Sequence, residues 1–413
     1  MAGEGSINTF IHFLNNPKLY KACKGVGVLL LIFCNIFEVS PLTVLYGPTA
    51  SGKSSLFYAL IILKNFIINP TQHSDGFFDL GFMNLGGFDN CVFNQDKERS
   101  IKISFCIDER EYGIFLNKDS ADIFLDPKII DMKMETKVSL PYLPHEHFTY
   151  TIKLGRQEEY KVNWNGISSS VSPKPSTAET QQYAMEISKT LNQIPEYIKK
   201  VDIAPHKRGF YKPQYSPSHV SPNPVSEDEM ASIIINDPNL VSRISVDLEK
   251  ILNRDFRIYT PPGTATVFFQ STDKSSRTPA YLVNEGYGIN QIVYILAKIH
   301  RPEIKTILIE EPEVHLHPSV IRALVKTFCS IVREEKKQIF LTTHSEVFIS
   351  SLLAAVRRKD IIAKDVKCYL VEKEGKVTNF KEQKISENGQ IEGGISSFME
   401  GELEDLKAFF EKV

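Results

Sequence analysis

Residues 47–54 decide the fold of this chain; they read Gly47-Pro48-Thr49-Ala50-Ser51-Gly52-Lys53-Ser54. This stretch matches the pattern G-x-x-x-x-G-K-[ST] of a phosphate-binding loop. A short apolar, β-prone run, residues 42–46, precedes it, and leucine and isoleucine recur at helical spacing after it. A strand, a glycine loop and a helix in this order turn the loop amides and the positive end of the helix dipole toward a phosphate. The stretch therefore predicts that the chain binds a nucleoside triphosphate.

Two side chains of the loop carry chemistry of their own. Lys53 is expected to reach the β- and γ-phosphates, and the Ser54 hydroxyl is expected to ligate Mg²⁺. The other residues predicted to line the nucleotide are Gly47, Pro48, Thr49, Ala50, Ser51, Gly52 and Ser55. We therefore expect ATP and Mg²⁺ as cofactors.

Composition places the chain among ordinary globular proteins. It has 413 residues, of which 42% are hydrophobic and 24% charged, and its formal net charge is −2. That charge gives no general attraction to nucleic acid, so a DNA contact would need a local basic patch. The six cysteines lack paired spacing, which indicates reduced thiols of a cytoplasmic protein and not a disulfide or zinc framework.

An almost wholly apolar stretch, residues 25–37, follows several lysines, as in a signal peptide. It is too short to cross a bilayer as a helix. Because the strand into the phosphate loop comes only a few residues later, we interpret the stretch as buried strands of the nucleotide fold. No association with a membrane is expected.

The middle of the chain shows several local patterns. Residues 101–108 and 148–153 alternate in the manner of half-buried antiparallel strands. Residues 166–176 are predicted to form a loop or a subdomain boundary, and residues 177–194 a helix that Pro195 stops. Further on, the sequence predicts an irregular loop over residues 211–224 and an interrupted helix from Ser226 to about Leu252.

The last third of the chain predicts a βαβ unit. A buried strand at residues 304–309 is followed by a helix that starts at His317-Pro318 and by a strand at residues 338–342. This order is typical of a parallel sheet. We divide the chain into an N-terminal lobe (1–165), an inserted helical and loop region (166–280) and a C-terminal lobe (281–413).

An acidic pair, Glu310-Glu311, ends the first strand of that unit, and residues 312–318 follow it with Pro-Glu-Val-His-Leu-His-Pro. An apolar strand that ends in an acid is the second half of a P-loop NTPase site. Its first carboxylate holds Mg²⁺, and the second can polarise the attacking water. The alternative is solvated charge, but the phosphate loop favours the site.

Two further features gain meaning from their context. The last strand ends in Thr342-Thr343-His344-Ser345, so His344 is placed where a side chain could sense the γ-phosphate, or it is structural. Residues 284–291 form a glycine turn that opens an amphipathic helix. A helix N-terminus of this kind can bind an anion, and the alternative is a simple tight turn.

In their order, these motifs resemble the ABC-like ATPases of the OLD/SMC-related group, which are often classed with the AAA-family ATPases. The most specific part is the Glu-Pro-Glu-x-His-Leu-His-Pro run, residues 311–318. The resemblance implies an α/β P-loop NTPase fold, namely an ABC-type ATPase head with a mixed β-sheet core, an antiparallel β subdomain and an inserted helical region.

The resemblance also implies roles for single residues. Glu310 would be the Walker B acid and Mg²⁺ ligand, Glu311 the catalytic base and His344 the switch histidine. The turn with Gly286 and Gly288 takes the place of the ABC signature, which acts on nucleotide held by a partner subunit. Residues 315–317 fall where the D-loop would be, and Gln95 is the candidate for the Q-loop glutamine near the metal. The sequence departs from the family at Thr49 and Ala50, which replace Asn-Gly, and it lacks the signature serine.

The family likeness predicts an ATP-driven dimerisation switch. Two identical heads would sandwich two ATP molecules, and hydrolysis would separate them. Such relatives act on DNA or control nuclease partners, often in anti-phage defence, so DNA and a nuclease or other effector are the expected partners. The inserted region is too short for an SMC-like coiled coil, so we do not expect the chain to bridge distant DNA. Because residues 372–375 do not show the spaced acidic motif of a fused Toprim nuclease, we expect no nuclease activity in this chain.

Two other classes share parts of the pattern. The cytosolic ATPase of a transporter would carry a Leu-Ser-Gly-Gly-Gln signature, which is missing here. A small-molecule kinase would act as a monomer and would explain neither the Gly286 turn nor His344.

A cluster of basic residues is the candidate DNA contact. Its members, with two aromatic neighbours, are Lys199, Lys200, His206, Lys207, Arg208, Lys212, Phe210 and Tyr211. Cationic side chains bind a phosphate backbone, and aromatic rings stack on exposed bases. The alternatives are a solvated surface and a loop docked on acids of the same chain.

Overall fold

The computed structural model describes residues 9–12, 32–33, 36–128, 133–154, 158–392 and 394, which form two compact units. The first unit consists of the described residues before Ser40 together with Ser55–Val201 and Lys373–Asn379. The second consists of Ser40–Ser54, Asp202–Glu372 and the described residues from Phe380 onward. Within the described part of the chain, no helix is long and apolar enough to cross a membrane. The three-segment division made from the sequence stays a prediction.

The strands, in chain order, are β1 (Thr9–His12), β2 (Ile32–Phe33), β3 (Ile36–Val39), β4 (Leu42–Tyr46), β5 (Ile101–Ile107), β6 (Arg110–Leu116), β7 (Ser120–Asp126), β8 (Met134–Ser139), β9 (Phe148–Leu154), β10 (Glu158–Trp164), β11 (Ser169–Lys174), β12 (Val201–Ala204), β13 (Arg254–Tyr259), β14 (Phe268–Asp273), β15 (Pro279–Tyr281), β16 (Thr306–Glu310), β17 (Gln338–Thr343), β18 (Val366–Glu374) and β19 (Val377–Gln383). The α-helices are α1 (Lys53–Ile68), α2 (Phe88–Cys91), α3 (Ala178–Lys199), α4 (Glu227–Asn236), α5 (Pro238–Leu252), α6 (Tyr287–Ile299), α7 (Pro318–Glu335) and α8 (Glu346–Arg357).

The first unit contains two antiparallel sheets. One has the order β3-β1-β5-β6-β7-β8, and the other has the order β11-β10-β9. The antiparallel strands predicted at 101–108 and 148–153 are confirmed as β5 and β9. The half-buried character predicted for the first of them is wrong, because every residue of β5 is buried. Lys102 can be buried there because its ammonium group has favourable partners. These are Oε1 of Glu111 at 3.3 Å and the ring of Phe124, whose centre lies 4.9 Å away.

Two other local predictions in this unit are wrong. Residues 169–174, predicted as loop, form the edge strand β11, whose residues alternate between partly buried and exposed. Pro173 is tolerated there because an edge strand can leave one backbone position without a ladder bond. Helix α3 continues through Pro195 to Lys199. Its apolar face, with Ile194 and Ile198 each 1% exposed, outweighs the missing amide of the proline.

The second unit is built on a sheet in which β12, β16, β17, β4 and β18 lie side by side in that order. The pairs β16–β17, β17–β4 and β4–β18 are parallel. The predicted βαβ unit is therefore confirmed, as is the mixed α/β fold class. The register pairs Glu310 with Thr342 and Thr343 with Tyr46. Parallel alignment thus brings the ends of β16, β17 and β4 to one edge of the sheet.

One large apolar core supports this sheet. Helix α6 is buried from Asn290 to Ile299, and α7 turns its predicted apolar face inward with Leu324, Val325 and Phe328 each at most 1% exposed. The interrupted helix predicted from Ser226 is confirmed as α4 and α5, which are separated by the cap Asp237. Residues 211–224 lie outside the strands and helices, as predicted.

A buried ion network anchors the end of β12. Oδ1 of Asp202 lies 3.0 Å from Nζ of Lys298, and Oδ2 lies 2.7 Å from Nη1 of Arg301. All three residues are buried, so the two cations supply the partners that a buried carboxylate requires. The segment that follows, residues 205–208, consequently starts from a fixed point.

The prediction of reduced cysteines is confirmed for the described cysteines, and for the apolar stretch the structure tests only whether a few of its residues are strands. Cys91, Cys106, Cys329 and Cys368 are buried free thiols, as predicted. Cys23 and Cys34 lie outside the described residues. Of the stretch 25–37, only residues 32–33 and 36–37 are described, and they belong to strands β2 and β3.

Candidate functional site

The loop between β4 and α1 holds its own lysine. Nζ of Lys53 donates hydrogen bonds to the carbonyl oxygens of Gly47 (3.0 Å) and Pro48 (2.8 Å) and to Oγ of Ser51 (3.4 Å). Lys53 is buried, with 5% of its surface exposed. Since charged acceptors bind an ammonium group more strongly than carbonyls do, this group can exchange loop oxygens for phosphate oxygens.

The loop backbone shows why residue 47 is a glycine and what the departure from the family at residue 50 costs. Gly47 has φ +144°, and a Cβ there would lie 2.3 Å from the carbonyl oxygen of Val371 on β18. Any larger residue would push the loop away from the sheet. Ala50 has φ +61°, a left-handed conformation that costs an L-residue about 1–2 kcal/mol. Thr49 is exposed, and Ser54 and Ser55 are partly buried in the first turn of α1.

The acidic pair lies at the end of β16, at the same edge of the sheet. Glu310 is 3% exposed, and its Oε2 accepts a hydrogen bond from the backbone amide of His206 at 2.9 Å. Glu311 has φ +41°, and its amide donates to the carbonyl oxygen of Thr342 at 3.0 Å. The strand therefore ends with one buried and one partly exposed carboxylate.

His344 contacts this second carboxylate. Its Nε2 lies 3.3 Å from Oε1 of Glu311, and a third of the imidazole surface is exposed. Burial lowers the pKa of His344 below its ordinary value, and the charge of Lys53 lowers it further, whereas Glu311 opposes the shift. The imidazole is consequently neutral at physiological pH. Lys53, Glu311 and His344, all predicted from the sequence, are thus close enough for their charges to interact. Glu310, also predicted, precedes Glu311 at the same edge of the sheet.

Glu313 is a third carboxylate at this edge that the sequence analysis did not single out. Its Oε1 accepts hydrogen bonds from Oγ1 of Thr343 at 2.6 Å and from the amide of His344 at 2.9 Å. Burial raises the pKa of Glu313, and these two hydrogen bonds oppose the rise. Glu313 therefore fixes the backbone that carries His344. The sequence feature that could have indicated this role is its position as the second glutamate of the Glu-Pro-Glu run, residues 311–313.

Arg208 is also a component of the site. It is 3% exposed, and its guanidinium donates to the carbonyl oxygens of Pro205 (2.8 Å), Glu310 and Glu311 (2.8 Å). Burial lowers the pKa of Arg208 to about 10, so the group stays charged at neutral pH. A single buried cation thus clamps the two consecutive carbonyls of the acidic pair.

The prediction that the basic cluster contacts DNA is therefore wrong for two of its members. Arg208 is buried against the acidic pair, and Phe210 is 1% exposed, so neither can reach a nucleic acid. Nζ of Lys212 lies 2.5 Å from Oδ2 of Asp228 on α4, and Nζ of Lys199 lies 2.6 Å from Oε1 of Glu196 on the same helix, α3. Lys207 is exposed. An Arg208→Glu substitution would disturb the acidic pair, so it cannot separate DNA contact from catalysis.

The glycine turn opens helix α6 as predicted. Gly286 is its N-cap and is exposed, and a Cβ built there would meet nothing within 4 Å. A Cβ at Gly288 would lie 2.8 Å from the carbonyl oxygen of His315, in the segment predicted as the D-loop. The ring of Tyr287, between the glycines, is 5.5 Å from the ring of His315. Gly288 therefore permits close packing within the chain, whereas Gly286 is open to solvent.

Gln95 belongs to the first unit. It ends a short 3-10 turn, Phe93–Gln95, has φ +55° and is exposed. Its role beside the metal stays a prediction.

The donor atoms for Mg²⁺ have the required chemistry. Mg²⁺ prefers oxygen ligands and is usually bound by one or two protein oxygens together with substrate phosphates and water. Ser54 supplies a hydroxyl and Glu310 a buried carboxylate, so the oxygens of this pair fit the ion.

Burial of Lys53 predicts a pH dependence of nucleotide binding. Burial lowers the pKa of Lys53 to about 8, with Glu311 and Glu313 opposing the shift. The amine is therefore charged below about pH 8 and loses its proton above it. Because a neutral amine cannot pair with phosphate, ATP affinity should fall up to about tenfold per pH unit above pH 8. Calorimetric titrations in buffers of different ionisation heat should show proton uptake on binding at pH 9 and little at pH 7.

The control for this experiment is Lys53→Arg, whose guanidinium stays charged throughout the range. It should bind ATP with little dependence on pH. An ATP affinity of the unaltered protein that is constant from pH 7 to pH 9.5 would contradict the prediction.

Comparison with known proteins agrees with this geometry. A family model described as AAA ATPase domain matches residues 35–349, a range that includes the phosphate loop, the acidic pair and His344. A stretch of 78 residues is 36% identical to an ATP/GTP phosphatase of Helicobacter pylori; it covers 18% of this chain and 21% of that protein. The chain thus spans about a fifth of the length of this curated relative.

Three solved SMC head domains are similar to this chain over most of their length. One, bound to the C-winged helix domain of ScpA, has a TM-score of 0.47 and 12% identity, and the match covers 92% of this chain and 98% of that one. A second has an extended coiled coil and is bound to the C-terminal domain of ScpA from Pyrococcus furiosus. Its TM-score is 0.40 and its identity 10%, and the match covers 98% of this chain and 99% of that one. The SMC head domain from Thermotoga maritima has a TM-score of 0.38 and 8% identity, and the match covers 91% of this chain and 98% of that one. The family match, which extends over most of the sequence and contains every strand-end motif of the site, is decisive: this chain belongs to the AAA ATPase domain family.

Proposed function

We propose that this chain binds ATP with Mg²⁺ at residues 47–54 and hydrolyses it to ADP and phosphate. The observation that carries the proposal is the meeting of the phosphate loop, the acidic pair and His344 at one edge of a parallel sheet. Membership of an ATPase family supports it.

Each residue has a distinct task in the proposed reaction. Lys53 pairs with the β- and γ-phosphates, and Ser54 and Glu310 would hold Mg²⁺, which would supply positive charge to the phosphate oxygens. Glu311 orients the attacking water and accepts its proton. His344, neutral and 3.3 Å from Glu311, senses the γ-phosphate. Gln95 is kept as the candidate Q-loop residue near the metal.

We further propose that ATP drives two copies of the chain together. The support is the exposed turn at the start of α6. Gly286 is open to solvent, and the neighbouring Tyr287 is 63% exposed. The N-terminus of this 13-residue helix carries a positive partial charge that suits the phosphates of a nucleotide held by a partner subunit.

The setting of the reaction is proposed from the sequence motifs alone. By their resemblance, the switch would act in the cytoplasm in a DNA-related process or in anti-phage defence. It would work with DNA or with a nuclease or other effector protein.

The dimerisation switch predicts a change of mass. Glu311→Gln protein, in which bound ATP should persist, is expected to shift from monomer to dimer on addition of ATP and Mg²⁺. Adding Gly286→Asp should block this shift, because a carboxylate would face the partner's γ-phosphate. Light scattering coupled to size-exclusion chromatography measures both results.

The matched control is Gly286→Asn, which has the size of Asp but no charge. Since a Cβ at this position meets nothing within 4 Å, both variants should fold. Dimers that form equally well with Asp and with Asn, or a protein that stays monomeric at saturating ATP, would refute the proposed arrangement.

A further inference from the structure

His206 lies against the acidic pair although it follows a different strand, β12. We propose that it is a positioning residue that holds the carboxylate of Glu311 for water activation. The inference rests on the proposed ATPase function. It assigns a role to a side chain that lies outside the sequence motifs of the site.

The carboxylate of Glu311 is flanked at both oxygens. Nδ1 of His206 lies 3.4 Å from Oε2, and Nε2 of His344 lies 3.3 Å from Oε1. At these separations each imidazole nitrogen contacts its oxygen, and in the tautomer that carries the proton there it is a donor that a small approach would bring into hydrogen-bond range. The carboxylate of Glu311, on a side chain that is 29% exposed, is thus contacted from two sides.

The backbone of His206 is itself fixed to the acidic pair. Its amide donates to Oε2 of Glu310 at 2.9 Å. The residue before it, Pro205, accepts from the guanidinium of Arg208, which also binds the carbonyl oxygen of Glu311. The buried ion network of Asp202 anchors the strand from which this segment emerges. The backbone of His206 therefore has a defined position relative to the acidic pair, and its imidazole, which is 59% exposed, reaches Glu311 from there.

The two histidines are not equivalent for catalysis. His344 is within the electrostatic influence of Lys53, on the side of the phosphate loop. In the proposed reaction His344 senses the γ-phosphate, and Oε1 of Glu311, which has two lone pairs, can accept the attacking water. The contact of His206 with Oε2 can persist meanwhile, so His206 is a restraint that remains when the base acts. Holding a reacting group in one orientation is a substantial part of enzymatic rate acceleration.

The test compares two substitutions of His206 in the full chain. His206→Ala should lower kcat for ATP hydrolysis by about 10- to 100-fold and change KM by less than about twofold, because the amide to Glu310 is kept. His206→Asn, whose side-chain amide can donate from nearly the position of Nδ1, should restore kcat to within about threefold of the unaltered protein. The control is His219→Ala, an exposed histidine outside the site, which should leave kcat unchanged.

A double variant distinguishes positioning from a purely structural role. If His206 acts through Glu311, His206→Ala should have no further effect on the rate in a Glu311→Gln background. ATP affinity and the Tm of the nucleotide-free protein should also stay close to those of the unaltered chain. A lowered Tm together with no rescue by Asn, or an additive loss in the double variant, would overturn the inference.

The outcome also separates this inference from the function on which it rests. Full activity of Glu311→Gln would refute the proposed ATPase mechanism. An inactive Glu311→Gln beside a fully active His206→Ala would refute only the role of His206.

Discussion

Glu311→Gln is expected to lower the rate of ATP hydrolysis by about 10²- to 10⁴-fold while ATP binding is retained. An amide has the shape of the carboxylate but cannot accept the proton of the attacking water. The backbone contacts of residue 311, its amide to Thr342 and its carbonyl to Arg208, do not depend on the side chain. The variant should therefore fold normally. Phosphate release measures turnover, and titration with a fluorescent ATP analogue measures binding.

The matched control for this variant is Glu387→Gln, which removes one negative charge from an exposed position outside the site. Its turnover should equal that of the unaltered protein. A Glu311→Gln protein that hydrolyses ATP at the unaltered rate would show that Glu311 is not the base.

Lys53→Ala should weaken ATP binding by at least about 100-fold. Hydrogen bonds to charged groups contribute about 1.5–3 kcal/mol each, and Lys53 is the cation of the loop that is predicted to reach two phosphates. The substitution also leaves the carbonyl oxygens of Gly47 and Pro48 without their present donor. Lys53→Met, which keeps the buried aliphatic part of the side chain, serves as a second variant in case Lys53→Ala is unstable. ATP affinity and the Tm of both variants should be measured.

An exposed lysine gives the control for this pair. Lys326→Ala, on the solvent face of α7, should bind ATP as the unaltered protein does. If Lys53→Met were folded and bound ATP with unaltered affinity, the loop at residues 47–54 would not be the nucleotide site.

The sequence alone was sufficient for those parts of the protein that are short and continuous. The phosphate loop, the acidic pair and His344 each follow an apolar run, and each run is a strand of one parallel sheet. Because parallel strands align their carboxyl ends, three separate motifs predicted one site before any contact was known. The family, the α/β fold class, helix α7 and the capped helices α4 and α5 followed from equally local patterns.

Tertiary structure decided what depends on distant partners. The buried Lys102 of β5 and the continuation of α3 through Pro195 result from packing, which overrode alternation and a helix-stopping residue. In the sequence, Arg208 and His206 resemble surface cations of a basic cluster. In the structure they contact glutamates that lie about a hundred residues away along the chain. Only the alignment of β12 beside β16 brings them there. A local pattern records which residue types follow a strand, whereas burial and charge pairing depend on which strand lies next to it. For that reason the residues proposed to do the chemistry were visible in the sequence, and those that hold them in place were visible only in the fold.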